Sequence, residues 1–234
     1  MTDFVLTRHG ETPWHEENRY AGRTDVPLTE HGHQQAELLA RWAVHADISA
    51  CVSSPLKRAR ATMAPAARAT GLDARSDDRL VELDFGEGEG LTSGEMSRTF
   101  RDRHALFQHD PISHHLPGGE DPRTAVHRAT SCLSELAGEL PQGRVLVVWH
   151  STVMRLVLCH LLGIPLSEYR RVFPFVRNSG LTEIRLVDGV CSLLEFNTPI
   201  EPSSNHVDGP PPPGAPRSHA ATHTDSGADP RSQS

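Results

Sequence analysis

Residues 144–155 read RVLVVWHSTVMR. Six residues, Arg144 to Trp149, form the strongest buried-strand signal in the chain. Five of them, Val145 to Trp149, are consecutive apolar residues with no polar alternation, which is how a strand covered on both faces reads. A polar imidazole, His150, ends the run abruptly. Ser151 to Leu162 then continues as an apolar helix, stopped by Gly163 and Pro165. A buried strand running through a histidine into a helix is the unit of a layered α/β protein. In such sheets ligands sit beyond the carboxyl ends of the strands.

The same punctuation recurs toward the N-terminus. Asp3 to Thr7 (DFVLT) reads as a strand, and Arg8, His9 and Gly10 follow it directly. Ser49 to Ser53 (SACVS) reads as a short buried strand. Ser54-Pro55 then opens a helix with proline at its first position, closed by Gly71. Lys57 and Arg58 lie at that helix's start. Thr29 caps a helix whose apolar face runs through Ala36, Leu39 and Ala43. Asp121-Pro122 opens another that runs to about Leu140. Leu181–Val187 and Val190–Phe196 flank Asp188-Gly189, a tight hairpin signal. The reading is an α/β sandwich with a mostly parallel sheet over residues 1–197. From about Thr198 the chain turns rich in Pro, Ser, Gly and Asp, and residues 198–234 read as a disordered tail whose partner, if it has one, the sequence does not name.

Composition narrows the function. The chain has 234 residues and a formal charge of −7, so it lacks the basic footprint of a nucleic-acid binder. Lys57 is the only lysine, and any anion site must be built from Arg and His. The four cysteines are far apart and form no CxxC pair, which points to reduced thiols and a cytoplasmic setting. No apolar run reaches the ~18 residues of a membrane span, and the loaded loop at position 8 leaves no room for a signal peptide. A homodimer is one assembly the sequence leaves open. Fifteen histidines raise a metal-site reading. His31 and His33 miss the i, i+4 spacing, and His114-His115 have no carboxylate partner, so neither a metal nor another cofactor is expected.

Strand ends therefore bring Arg8, His9, Arg58 and His150 to one sheet edge, and Glu82 joins them from the loop VELDFGEGEG. A phosphoryl group carries about two negative charges near neutral pH. Guanidiniums grip its oxygens, a neutral imidazole attacks phosphorus, and a carboxylic acid serves the leaving alcohol. These five side chains cover each of those roles.

At these residues the sequence resembles the histidine phosphatase (phosphoglycerate mutase-like) superfamily. The matching pieces are TRHGET (7–12), NRYAGRTDVPLTEHGHQQA (18–36), SSPLKRARATM (53–63), LVELDFGEGEG (80–90), LPGGED (116–121) and VLVVWHSTVMR (145–155), in family order. The resemblance implies a three-layer α/β/α sandwich with no metal, acting on a small phosphomonoester. It implies that His9 forms a phosphohistidine, that Arg8 and Arg58 bind the phosphoryl group, that His150 donates to it, and that Glu82 is general acid then base. It also implies substrate-binding positions at His15, Gly22 and Ser151.

Three positions depart from the family pattern. His15 replaces an asparagine and is expected to donate to the phosphoryl group and add pH sensitivity. Ser151 replaces a glycine and is expected to cap the following helix. Gly88 replaces a tryptophan and is expected to widen the entrance. Glu82 to His150 is too short for the long mutase insertion, has no adjacent arginine pair, and Ala21 stands where mutases use Ser or Thr. These features favour a phosphatase. A mutase-type phosphotransferase and a catalytically inactive phospho-ligand module are the alternatives. The segment 97–120 covers the pocket and offers Arg98, Arg101, Arg103, His104, His109, His114 and His115 to a second anionic group on the substrate, or else is a solvated face.

Overall fold

The computed structural model describes residues 1–200; most of the expected tail, from residue 201, lies outside the described residues. Along the chain the elements are β1 (Thr2–Arg8), α1 (Pro13–Glu16), α2 (Glu30–Ala43), β2 (Ala50–Ser53), α3 (Lys57–Thr70), β3 (Ala74–Ser76), α4 (Ser93–Thr99), α5 (Arg101–His109), α6 (Pro122–Glu139), β4 (Arg144–Trp149), α7 (Ser151–Leu161), α8 (Tyr169–Val172), β5 (Leu181–Val187) and β6 (Val190–Thr198).

The strands form one six-stranded sheet in the order β3-β2-β4-β1-β5-β6. Its first four strands are parallel, and β5 and β6 add an antiparallel edge. Residues 145–149 of β4 are fully buried, because helices cover both faces of the sheet. On one face Val5, Cys51, Leu146 and Val148 pack against α2 and α3. On the other, Phe4, Leu6, Val52, Val145, Val147 and Trp149 pack against α6 and α7. Alternate residues of the same strands thus feed two cores, the period-two logic of a strand between helical layers. The result is the expected three-layer α/β/α sandwich. Each buried aliphatic side chain contributes about 1.5–3 kcal/mol, and β1, β4, α6 and α7 all supply fully buried ones.

Register sets up the site. Arg8 pairs with Trp149, and Val148 pairs with both Thr7 and Ser53. His9, His150 and Ser54 therefore leave the sheet at one level, and the ladder continues one step through His9 N to Trp149 O and Ser54 N to Val148 O, each at 3.0 Å.

Several local details differ from expectation. Helix α3 begins at Lys57 rather than Pro55, with Leu56 at its N-cap and no side-chain cap. The Ser54 hydroxyl that would have capped it meets His150 instead. Strand β6 runs to Thr198, and Ile200 packs on the second core, so ordered structure continues past residue 197. Strand β3 is a short, wholly exposed edge that the sequence pattern does not reveal. The hairpin stands as read, with positive φ at Asp188 (49°) and Gly189 (80°). Among the described residues no helix is long and apolar enough to cross a membrane.

Candidate active site

The loop after β1 turns sharply against the start of α2. A Cβ on Gly10 would lie 2.5 Å from the Gly32 carbonyl oxygen, so only glycine fits there. The Gly10 amide donates to Thr62 Oγ1 at 2.9 Å, and that hydroxyl donates to the Arg58 carbonyl at 2.7 Å. Thr62 thereby ties the His9 loop to α3.

The partners of His9 fix its tautomer. Nδ1 lies 2.7 Å from the Gly10 carbonyl, which can only accept. Nε2 lies 3.3 Å from Arg58 Nε, which can only donate. The proton therefore sits on Nδ1, and Nε2 presents a lone pair. Burial, then the charge of Arg58, holds the His9 pKa well below the usual histidine range, so the ring is neutral at pH 7.

Arg58 is fully buried. Its Nη2 donates to the carbonyls of Ala21 (2.8 Å) and Gly22 (2.7 Å), and Nη1 donates to that of Thr24 (2.7 Å). Gly22 thus serves the site through its backbone, and a Cβ there would sit 2.7 Å from the Leu83 carbonyl oxygen. The loop is braced by Glu89, whose carboxylate accepts from the amides of Arg23 and Thr24 at 2.7 Å each.

Arg8 donates through Nη1 to Val176 O at 2.9 Å and through Nη2 to His15 Nε2 at 2.6 Å. Its Nε is buried without a partner. Burial, then the charge of Arg155, lowers its pKa to about 10. His150 is fully buried, with Nε2 2.8 Å from Ser54 Oγ and Nδ1 unpartnered. Its ring stands 5.1 Å from that of His9. Burial, then Arg58, pushes its pKa well below the usual range. Two buried polar nitrogens thus await partners beside a lone pair. That is the environment an anion would complete.

Glu82 is 6% exposed. Its Oε2 accepts from Thr152 N at 2.9 Å, and Oε1 accepts from Val153 N at 2.9 Å and Leu83 N at 2.8 Å. The carboxylate therefore caps α7, the role expected of Ser151. Ser151 is instead the first residue of α7, with His150 at the N-cap and no side-chain cap bond. A carboxylate at a helix N-terminus satisfies two free amides and meets the positive end of the dipole, so it displaces a hydroxyl. Oε2 keeps lone-pair capacity for proton transfer.

The remaining expectations also resolve into contacts. His15 accepts from Arg8 rather than facing open space, with Asn178 Nδ2 3.3 Å from the same nitrogen. Burial, then Arg8, drops its pKa to about 3, so it stays neutral at physiological pH. Gly88 does not open an entrance: the Leu116 side chain fills the space, 2.5 Å from where a Cβ would stand. Of the seven cationic cover residues, His104 is buried against Ser93 and Gln108, and the other six are exposed. A cavity of about 430 Å³ opens beside the site, bordered by Arg8, His15, Asn18, Phe175 and Asn178. Among the described residues no three His, Cys, Asp or Glu side chains gather as a metal set would.

Sequence reasoning missed four contributors. Ser54 follows β2 as His9 follows β1, so strand-end logic could have found it. Arg155 is signalled by its place in an otherwise apolar helix. Thr62 and Asn178, whose Nδ2 donates to the His9 carbonyl at 2.8 Å, carry no local signal.

Residues 4–199 match the family model described as histidine phosphatase superfamily (branch 1). The chain is 32% identical to phosphoserine phosphatase 1 of Hydrogenobacter thermophilus, over 72% of this chain and 80% of that one. It is 30% identical to a probable phosphoglycerate mutase GpmB of Escherichia coli, over 90% and 97%. In three dimensions it superposes on Bacillus stearothermophilus YhfR with a TM-score of 0.80 and 27% identity, covering 86% of this chain and all of that one.

Proposed function

The chain belongs to the histidine phosphatase superfamily and is an enzyme of its phosphatase kind, and from that premise we propose that it hydrolyses a small phosphomonoester through a phosphohistidine on His9. The observation that carries the reading is the His9 ring: its Nδ1 proton is held by Gly10 and its Nε2 lone pair faces Arg58, among guanidiniums that form no carboxylate ion pair among the described residues. His9 Nε2 attacks phosphorus, forming the N–P bond as the ester P–O bond breaks. Arg8, Arg58 and His150 hold the equatorial oxygens. Glu82, carrying a proton, gives it to the leaving alkoxide. The resulting carboxylate takes a proton from water, which attacks phosphorus, breaks the N–P bond and releases inorganic phosphate. Both named relatives are called after small phosphorylated metabolites, which supports a substrate of that size. Four free, scattered cysteines support a cytoplasmic setting.

Hydrolysis of an aryl phosphate in EDTA tests the reading. The wild type turns over, and His9→Ala falls by ~10⁴-fold or more, as loss of a covalent nucleophile requires. A wild type that is inert on aryl phosphate but isomerises phosphoglycerate with a bisphosphate primer would instead be a mutase. That second reading draws on the 30% identity to the probable mutase.

A further inference from the structure

The two histidines of the reaction centre have their protons set by different neighbours. His9 carries its proton on Nδ1 and presents a lone pair at Nε2. His150 is neutral as well, so its ring also holds one proton, and its surroundings decide on which nitrogen. Its Nε2 lies 2.8 Å from Ser54 Oγ, and its Nδ1 is buried without a partner. The mechanism above needs a donor at that free nitrogen, because the oxygens of a phosphoryl dianion can only accept.

Ser54 is fully buried and has no other use for its proton. Pro55 has no amide hydrogen, so the first amide within the hydroxyl's reach is that of Leu56, at a long 3.4 Å. The first amide of α3, Lys57 N, donates to Asp25 Oδ1 at 2.7 Å, which frees Ser54 from capping the helix. A hydroxyl has one proton and two lone pairs. The Leu56 amide can only donate, so it uses a lone pair. Among the described residues no carbonyl or carboxylate accepts from Ser54, which leaves His150 Nε2 as the acceptor for its proton. The reverse assignment puts the ring proton on Nε2. Ser54 Oγ would then accept from two N–H groups while its own proton lay buried with no acceptor, an arrangement native proteins avoid. Nδ1 would also turn a bare lone pair toward the bound oxyanion.

We propose that Ser54 is a positioning residue: its hydroxyl donates to His150 Nε2 and so places the ring proton on Nδ1, which donates it in a hydrogen bond to an oxygen of the transferring phosphoryl group. This rests on the phosphoryl-transfer reading of the site and extends it to a residue beyond the side chains that meet the substrate. Strands β1 and β2 flank β4 in the sheet, and each is followed by the residue that sets one ring. The Gly10 carbonyl accepts from His9, and the Ser54 hydroxyl donates to His150. The centre thereby gains one lone pair that attacks and one N–H that holds. Because His150 donates as a neutral ring, it adds no full positive charge beside Arg8 and Arg58.

Nitrogen NMR of protein labelled in its histidine rings reads the tautomer directly. The His150 ring, assigned by its loss in His150→Gln, should show a protonated Nδ1 and a bare Nε2 in the wild type. Ser54→Ala should move the proton to Nε2 in a large share of the molecules. A wild-type ring protonated on Nε2 overturns the proposal without recourse to any Ser54 variant. A double-mutant cycle adds a second readout, with vanadate as the probe and calorimetry as the measurement, so that no turnover is required. Ser54→Ala should weaken vanadate binding by about 30-fold, within the ~10–100-fold found when a metal-ligating imidazole loses the group that orients it. In the His150→Gln background the same change should cost about twofold or less. Ser54→Cys, nearly isosteric and a weak donor, should fall between, and it carries the cycle if Ser54→Ala loses its near-UV dichroism. Equal losses in the two backgrounds, or a tautomer unmoved by the variants, make Ser54 merely structural and overturn the proposal. A protein that turns over no phosphoester yet shows the Nδ1–H ring and the coupling retains the positioning role and loses the hydrolase reading; an active enzyme without them does the reverse.

Discussion

Arginine is used in two opposite ways in this molecule. Along one outer surface Arg75 pairs with Glu135 and Glu139, and Arg79 with Asp77 and Glu135. At the catalytic edge Arg8, Arg58 and Arg155 meet carbonyls and other cations. Asp77 pushes the Arg79 pKa up, whereas burial pulls that of Arg8 down to about 10. The outer arginines have their counter-charges built in. The inner ones are kept short of anions, so that a ligand supplies the charge, and main-chain oxygens hold them in place without neutralising them.

Breaking the inner set should have the largest effect. Arg58→Gln should lower kcat/KM on aryl phosphate by ~10³-fold while the protein stays folded, since a preorganised cation at the transferring group is lost. A fall of less than tenfold would place Arg58 outside the chemistry.

Acid should sharpen the contrast next. His9, His15 and His150 are neutral in the folded protein with depressed pKa values, whereas in the unfolded chain they titrate near 6.5. Their stabilisation is complete above pH 6.5 and is lost as pH falls toward the folded values, about 3 for His15. Each group contributes up to about 1.4 kcal/mol per pH unit, so urea unfolding between pH 6.5 and 5.5 should show a loss of about 3–4 kcal/mol. Added phosphate should reduce it by compensating Arg8 and Arg58. A flat profile would mean that these rings titrate in the folded protein as they do in the unfolded chain.

The smallest effect should come from the outer network. Arg75 is 44% exposed, and Arg75→Ala should destabilise by less than about 1 kcal/mol with kcat/KM unchanged. A measurable loss of activity would erase the distinction between the two sets.

Much of this division was legible in the residues. Apolar runs located β1, β2 and β4, and the polar residues that end β1 and β4 located His9 and His150. The hairpin at Asp188-Gly189 followed from its need for positive φ. Other features depend on contacts between distant segments. Ser151 looked like a cap because helix starts favour hydroxyls, but Glu82, far away in sequence, does that work. His15 looked like a donor, yet its only charged contact is itself a donor, Arg8. Asn178 reaches the site from an irregular segment with no periodicity to read.

Main-chain atoms hold much of the site. Arg58 hangs on three carbonyls, Arg155 on two, Arg8 on one, and Glu82 on three amides. Every residue type except proline carries both groups. Leu83, Thr152, Val153, Phe173 and Val176 can therefore change side chain without dislodging what they hold. The phosphoryl chemistry is thereby insulated from mutation at those five positions, though not at Gly10 and Gly22, where a Cβ would clash, while side chains around the alcohol half of the substrate remain free to drift. A lineage built this way can change substrates by small steps without passing through an inactive ancestor.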